Sequence, residues 1–217
     1  MLKIFAMNNT VFNDGEKFAR ALAGADGYRR RSAETLVPRE KKNAALAAGL
    51  ILPLALKACG AVGEVTVERE WGAKPRLVSP AGWYFNLSHS GEWTCLALSD
   101  GEVGIDIQQE RPVDMRLATR FFTAEEQAAL QGAGERAEEL FYRLWTVKEA
   151  YLKALGTGLN RPLNSFSVRF GAGGAKISDP EREGEWRVSE LSDFGGYKIA
   201  VCAAEYVPDE PVSVIEY

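Results

Sequence analysis

Alternation of apolar and polar residues predicts strands at several places along the chain. Such runs occupy residues 2–7, 65–69, 166–170, 186–188 and 197–203. Two further runs, 93–99 and 103–108, flank the turn pair Asp100-Gly101 and predict a β-hairpin. Period-two alternation divides the second of these runs between two faces: Val103, Ile105 and Ile107 on one, Gly104, Asp106 and Gln108 on the other. The sequence therefore places Asp106 and Gln108 in the same space.

A different spacing of apolar residues predicts helices. Helix-forming residues cover about 14–23 and 38–58, the second with a kink expected at Pro53. Thr123 followed by Glu126 is the pattern of a capping box at a helix N-terminus. A long helix is expected over about 137–154, where Glu149 and Lys153 lie four apart and share one flank of the apolar stripe.

These elements indicate an α+β protein made of two halves. We expect an N-terminal half at residues 1–102 and a C-terminal half at 103–217, similar in layout and packed closely together. This arrangement suggests a duplicated architecture.

The amino-acid composition of the chain excludes several classes of protein. The chain has 217 residues, 46% of them apolar, which is enough for a sizeable core. A net charge of −4 disfavours nucleic-acid binding, although basic residues cluster at 29–31 and 39–42. The three cysteines form no metal-binding or disulfide pattern, and no apolar run is long enough to span a membrane. We therefore expect a soluble, cytoplasmic protein.

Two acidic residues are candidates for metal binding. Glu149 with Lys153 is, taken alone, an ordinary helix ion pair worth about 0.2–0.5 kcal/mol. Asp106, however, lies in a strand that is at least half buried. Two carboxylates brought together would repel, and a hard divalent cation resolves that conflict. The pattern thus favours Mg²⁺ between Asp106 and Glu149, in contact with substrate phosphate.

The single histidine, His89, lies in the polar run Asn86-Leu87-Ser88-His89-Ser90, which could bind an oxyanion. One histidine excludes zinc sites that need two or more. No GxSxG elbow, GxxxxGK[ST] loop or GxGxxG turn is present, so the usual serine hydrolases and nucleotide-binding loops are disfavoured.

Three segments of the chain resemble the signature blocks of the 4′-phosphopantetheinyl transferases, in particular the large monomeric class typified by the surfactin-synthetase activator. The blocks are Phe85 to Ser90, Val103 to Ile107 and Trp145 to Lys153. Residues 72–75, 120–123, 141–145, 165–169 and 197–204 also resemble that class. From about residue 70 onward the resemblance is nearly continuous.

The resemblance implies two pseudo-symmetric α/β halves, packed as an intramolecular pseudo-dimer with coenzyme A in the cleft between them. It implies that a serine of an apo acyl or peptidyl carrier protein attacks the β-phosphate of coenzyme A. The phosphopantetheine arm is transferred and adenosine 3′,5′-bisphosphate leaves. The expected enzyme acts as a monomer.

The same resemblance assigns roles to individual residues. Asp106 and Glu149 would bind Mg²⁺; many members carry a second acid where this chain has Gln108, which would ligate through its amide oxygen or a water. Glu149, Lys153 and His89 would be catalytic, with Glu149 as the base for the serine. The remaining coenzyme A contacts would come from Lys74 and Pro75 on the adenine side, Ser88, His89, Lys148 and Lys153 at phosphates, and Arg31 and Lys42 at the 3′-phosphate.

Two other functions stay open from the sequence. Gln108 would also suit a non-catalytic module that binds coenzyme A or a carrier protein. A metal-dependent phosphodiesterase that uses water as acceptor is the third possibility.

Overall fold

The structure is a computed structural model that describes residues 1–70, 72–191, 194–204 and 212–217. The strands are β1 Leu2–Asn8, β2 Thr66–Glu68, β3 Arg76–Ser79, β4 Tyr84–Ser90, β5 Trp93–Ser99, β6 Val103–Gln109, β7 Ser167–Gly171, β8 Gly174–Ser178, β9 Arg187–Leu191, β10 Tyr197–Ala203 and β11 Ser213–Val214. The helices are α1 Gly15–Gly24, α2 Gly27–Thr35, α3 Arg39–Ala58, α4 Leu117–Phe121, α5 Ala124–Gly132 and α6 Ala137–Leu155. Short 3₁₀ segments occupy Asn9–Asn13, Gly134–Arg136, Gly158–Asn160 and Leu163–Ser165.

The first half is a sheet covered by one long helix. Its strand order is β11-β1-β5-β4, with β5 antiparallel to both neighbours and β11 parallel to β1. Helix α3 is rich in alanine and leucine, runs through Pro53, and buries its apolar side against this sheet. Leu46 and Ile51 pack there with Phe5 and Leu96.

The second half repeats this layout. Its sheet has the order β6-β10-β9, and α6 packs across β6 and β10. The buried stripe of α6 includes Leu144, Val147 and Leu152, at helical spacing. The helix ends at Gly156, whose left-handed φ of 71° suits glycine as a helix cap.

The two sheets pack against each other through an apolar layer. Side chains on the inner faces meet there: Leu2, Ile4, Ala6, Cys95 and Ala97 from the first sheet and Val103, Ile105, Ile107, Ile199 and Val201 from the second. The molecule is therefore layered as helix, sheet, sheet, helix. The predicted fold class, two mixed α/β halves, is confirmed.

The predicted hairpin of 93–99 with 103–108 is wrong. Both edges of β5 are taken, by β1 and β4, so β6 joins the second sheet beside β10 instead. The real hairpin is β4–β5, which turns at Gly91-Glu92. The segment 85–90 is accordingly a strand and not a loop before one.

Three further features complete the description of the fold. Thr123 and Glu126 form the capping box predicted for α5. Strand β11, from the end of the chain, lies in the sheet of the first half. Among the described residues, no helix is both long and apolar enough to cross a membrane.

A buried cluster fixes the middle of α6 to the loops beyond it. Tyr151 donates its hydroxyl to Asp179 at 2.6 Å, and Arg161 donates two N–H groups to the same carboxylate at 2.6 Å each. Burial opposes ionisation of Asp179, but these hydrogen bonds outweigh it and lower its pKa to about 2. The cluster holds the loops at 161 and 179 against α6.

Candidate active site

Asp106 is the centre of a polar recess between β6 and α6. The alternation of β6 turns its side chain, only 3% exposed, away from the apolar layer between the sheets. One carboxylate oxygen accepts from Lys153 Nζ at 2.6 Å and from Ser88 Oγ at 2.8 Å. The other accepts from the Gln108 amide at 3.2 Å. The recess thus joins side chains from β4, β6 and α6.

Glu149 lies one helical turn before Lys153 and faces the same recess. Burial raises the pKa of the Glu149 carboxyl above its ordinary 4.5, the charge of Asp106 raises it further, and Lys153 opposes both. The two carboxyl groups therefore influence each other directly. The sequence analysis predicted that these two carboxyl groups lie close together. Their role as metal ligands stays a prediction.

The backbone of β6 passes unusually close to α6 beside these side chains. A Cβ atom on Gly104 would lie 2.0 Å from the carbonyl oxygen of Ala150 and 2.4 Å from the amide nitrogen of Ala154. Only glycine fits there. This contact sets the spacing of the strand that carries Asp106 and the helix that carries Glu149.

His89 lies on the opposite face of β4 from Ser88 and is exposed. Partial burial lowers the pKa of its imidazole, as do the positive charges of Lys153 and Arg29, while Asp106 and Glu40 act in the opposite direction. The imidazole is thus biased towards its neutral form. Ser88 is more enclosed, with its hydroxyl bound to Asp106, Lys153 and a backbone N–H.

Two cavities open near Pro75. One, of about 410 Å³, is bounded by Lys74, Trp83, Glu102 and the end of α6. The other, of about 460 Å³, runs between α3 and β2. Lys74 Nζ donates to Glu102 at 2.7 Å and to the carbonyl oxygen of Val103 at 2.8 Å, so this lysine connects the segment before β3 to the start of β6.

Arg29 belongs to the basic run 29–31 but was not among the predicted site residues. Its side chain packs on α3 at Gly49 and borders the second cavity, and its Nε is buried without a hydrogen-bond partner among the described residues. Burial lowers the pKa of this guanidinium, and the neighbouring charge of Arg69 adds to the effect. A buried guanidinium N–H without an acceptor indicates a place where an anion could bind.

Arg31 and Lys42, the predicted 3′-phosphate contacts, lie apart from Arg29. Arg31 is two residues after Arg29, about 200° further around α2, and is exposed. Lys42 lies on the same face of α3 as Gly49 but seven residues earlier, roughly 10 Å along the helix axis. The only sequence signal for Arg29 was its membership of the basic run 29–31, which does not say which arginine turns inward.

Lys148 does not join the recess. Its Nζ is fully buried on another side of α6, where it pairs with Glu126 at 2.8 Å and donates to the carbonyl oxygens of Leu163 at 2.8 Å and Phe166 at 2.6 Å. Adjacent side chains on a helix point about 100° apart, so Lys148 and Glu149 lie in different environments. The Lys148 ammonium is therefore engaged inside the protein, and the predicted phosphate contact finds no support in this geometry.

The remaining acidic groups do not complete a metal site by themselves. Within residues 1–70, 72–191, 194–204 and 212–217, no three His, Cys, Asp or Glu side chains are grouped so as to hold a metal ion. The recess offers two carboxylates and the amide of Gln108.

Comparisons with known proteins agree with this geometry. A family model described as the 4′-phosphopantetheinyl transferase superfamily matches residues 102–202. The 4′-phosphopantetheinyl transferase psf-1 of Bacillus pumilus is 37% identical over 154 residues, which are 70% of this chain and 66% of the relative. The 4′-phosphopantetheinyl transferase Sfp of Bacillus subtilis (strain 168) is 35% identical over 151 residues, 69% of this chain and 67% of the relative.

The matched part of the chain spans about two thirds of the length of these relatives. Among solved structures, a holo-(acyl-carrier-protein) synthase from Bacillus anthracis str. Ames in complex with CoA (3′,5′-ADP) aligns with a TM-score of 0.41 and 26% identity, over 46% of this chain and 92% of that one.

The chain belongs to the 4′-phosphopantetheinyl transferase superfamily. One of the two relatives is Sfp itself, so the type that the sequence resembles, the large surfactin-synthetase-activator class, is confirmed, and with it the predicted enzyme class.

Proposed function

We propose that this protein transfers the 4′-phosphopantetheine group from coenzyme A to a serine of an apo acyl or peptidyl carrier protein and releases adenosine 3′,5′-bisphosphate. The observation that carries the proposal is the recess in which Asp106, Glu149 and Lys153 meet. It combines two carboxylates with a cation beside His89, as in-line phosphoryl transfer requires.

The donor set of this recess suits Mg²⁺. The ion is normally held by one or two carboxylates and keeps its other positions for water or phosphate. Asp106 and Glu149 would supply the carboxylates. Burial raises the pKa of Glu149 most and the charge of Asp106 raises it further, and a dication would relieve this repulsion. Gln108 now donates its amide N–H to Asp106, so it would have to turn its oxygen inward to ligate. When bound, Mg²⁺ would neutralise charge on the pyrophosphate.

Protein side chains would carry the proton and balance the charge. Glu149 takes the proton from the serine hydroxyl as the serine oxygen forms its bond to the β-phosphorus, and the bond from that phosphorus to the adenosine bisphosphate breaks. In the metal-free protein, the raised pKa of Glu149 makes it a stronger base than an ordinary carboxylate. Lys153, near the leaving group, and His89, at a phosphate oxygen, would offset negative charge.

Coenzyme A would lie along the surface that joins the two cavities at Pro75. We assign the 3′-phosphate to Arg29 because its Nε is buried without an acceptor among the described residues, and because its charge influences His89. This assignment replaces Arg31 and leaves Lys42 as a secondary contact. The ammonium of Lys74 is already bound to Glu102 and to the carbonyl oxygen of Val103. Lys74 would therefore help to form the wall of the adenine-binding cavity rather than pair with a phosphate.

Two further properties belong to the proposal. We expect a monomer, because both halves of the site come from one chain. We also expect a cytoplasmic enzyme, in keeping with its three free cysteines, two of which are buried.

The test is a carrier-loading assay with coenzyme A, Mg²⁺ and apo carriers of the fatty-acid, polyketide and nonribosomal-peptide kinds. We expect one carrier to gain the mass of one phosphopantetheine on its serine, and Glu149→Gln to lose nearly all activity. Glu139→Gln is a matched control on the same helix, because Glu139 is exposed and pairs with Lys198.

Two outcomes would refute the proposal. Coenzyme A binding without loading of any carrier would favour the non-catalytic module that Gln108 left open. Cleavage of coenzyme A in the absence of carrier, at a rate that carrier does not raise, would favour a phosphodiesterase.

A further inference from the structure

Strands β4 and β6 are joined by hydrogen bonds from β6 backbone N–H groups to β4 side chains. In a continuous sheet, backbone carbonyl oxygens would accept these hydrogen bonds. Three β4 side chains, spaced two residues apart, accept hydrogen bonds from three β6 backbone N–H groups with the same spacing. The pairs are Asn86 with Ile105 at 2.9 Å, Ser88 with Ile107 at 3.3 Å and Ser90 with Gln109 at 3.0 Å. We call these three hydrogen bonds the interstrand seam.

The interstrand seam provides hydrogen-bond acceptors for backbone N–H groups of β6 that have no partner in their own sheet. This strand is at the edge of its sheet, and its odd-numbered residues direct their N–H groups away from β10. Unpaired N–H groups buried between the halves would each cost about 1–3 kcal/mol. Short polar side chains on β4 satisfy them. The asparagine carries its acceptor one bond further from the backbone than a serine does, so it can reach across a wider gap.

The hairpin turn closes the other end of the seam. Gly91 has a φ of 51°, and a Cβ on it would lie 2.5 Å from the Tyr197 hydroxyl. That hydroxyl accepts from the backbone N–H of Glu92 at 3.1 Å. The turn therefore rests directly on β10, and β4 has no room to slide along β6.

Two proposed active-site residues depend on this alignment. His89 lies between Ser88 and Ser90 in the chain and points to the other face of β4, so a shift of one residue would turn it away from the cleft. Ser88 also donates its hydroxyl to Asp106 at 2.8 Å. The seam thus joins the strand that carries His89 to the strand that carries Asp106.

We propose that Asn86, Ser88 and Ser90 are positioning residues, which fix the register of β4 against β6 and thereby hold His89 at the correct distance from Asp106 for coenzyme A. The role in coenzyme A binding rests on the proposed function. The seam itself does not, because its three hydrogen bonds are measurable without substrate.

Ser90→Ala is the clearest test, since Ser90 has no proposed contact with substrate. Amide hydrogen exchange at Gln109 should become about tenfold faster, the effect of losing one hydrogen bond. The KM for coenzyme A should rise severalfold while kcat changes little. Ser90→Thr keeps the hydroxyl and should restore both values.

Ser99→Ala is the matched control. Ser99 is buried at the far end of the same hairpin, and its hydroxyl accepts from the Gly101 N–H at 3.3 Å. This variant should leave Gln109 exchange and KM unchanged. The proposal fails if Ser90→Ala keeps wild-type protection at Gln109, or if protection is lost while KM stays at the wild-type value.

The two proposals can fail separately. If the wild-type protein loads no carrier, coenzyme A affinity measured by calorimetry takes the place of KM. Faster exchange at Gln109 together with weaker coenzyme A binding in Ser90→Ala would then support the seam and refute only the proposed chemistry.

Discussion

Gly104→Ala tests whether the approach of β6 to α6 sets the geometry of the site. Ordinary contact begins at 3.4 Å, and the new methyl group would lie 2.0 Å from the Ala150 carbonyl oxygen, so the shortfall is the difference, 1.4 Å. The atoms involved are backbone and have no rotamer to adopt. The helix must therefore move outward by about that distance and take Glu149 and Lys153 with it.

The expected result is a folded but nearly inactive protein. Overpacking of this kind costs about 1–3 kcal/mol of unfolding free energy. A misplacement of about 1 Å can lower the rate about 100-fold. Urea unfolding followed by tryptophan fluorescence measures the first quantity, and carrier loading at saturating coenzyme A measures the second.

Gly101→Ala is the control for this prediction. Gly101 lies three residues earlier and has no left-handed φ, and a methyl group added to it would meet nothing within 4 Å beyond its neighbours in the chain. It should behave like wild type in both assays. If Gly104→Ala loads carrier at the wild-type rate with wild-type stability, the strand–helix contact does not control the site and the reasoning is wrong.

Three other substitutions give independent predictions. In the metal-free protein, the folded-state pKa of Glu149 is raised, so stability is lost as pH rises through that pKa; Glu149→Gln should increase Tm at pH 7 and have no effect below about pH 4. Arg29→Ala should raise the KM for coenzyme A much more than the KM for dephospho-coenzyme A, whereas Arg31→Ala should change neither; equal effects of Arg29→Ala on both would exclude the 3′-phosphate assignment. Asp179→Asn should lower the free energy of unfolding by about 2 kcal/mol at pH 7, because the pKa of Asp179 is depressed to about 2. Urea unfolding measures this loss of stability, which should disappear as the pH falls from about 4 to about 2.

Short-range periodicity was enough to predict the centre of the site. Asp106 faces α6 because strand side chains alternate, and Glu149 and Lys153 share a flank because helix positions four apart coincide. The capping box at Thr123 was predictable for the same reason, since all its atoms lie within four residues. Where the geometry is local, the sequence pattern determines it.

Features that depend on distant segments could not be predicted in this way. The Asp100-Gly101 turn was real, but which strands pair depends on β1 already occupying one edge of β5. Lys148 differs from Lys153 through distant partners: Glu126, 22 positions earlier in the chain, and the carbonyl oxygens of Leu163 and Phe166. The inward turn of Arg29 depends on a glycine in α3, at position 49, that leaves room for its side chain.

The apolar layer between the two sheets has a consequence for how substrate enters. Any hinge-like opening of the halves would expose leucine, isoleucine and valine side chains that are now dry, and would break the polar contacts along β4 and β6. Under the proposed function, coenzyme A would therefore settle onto a groove that already has its final width. Selectivity among carrier proteins would then arise at the rim of that groove.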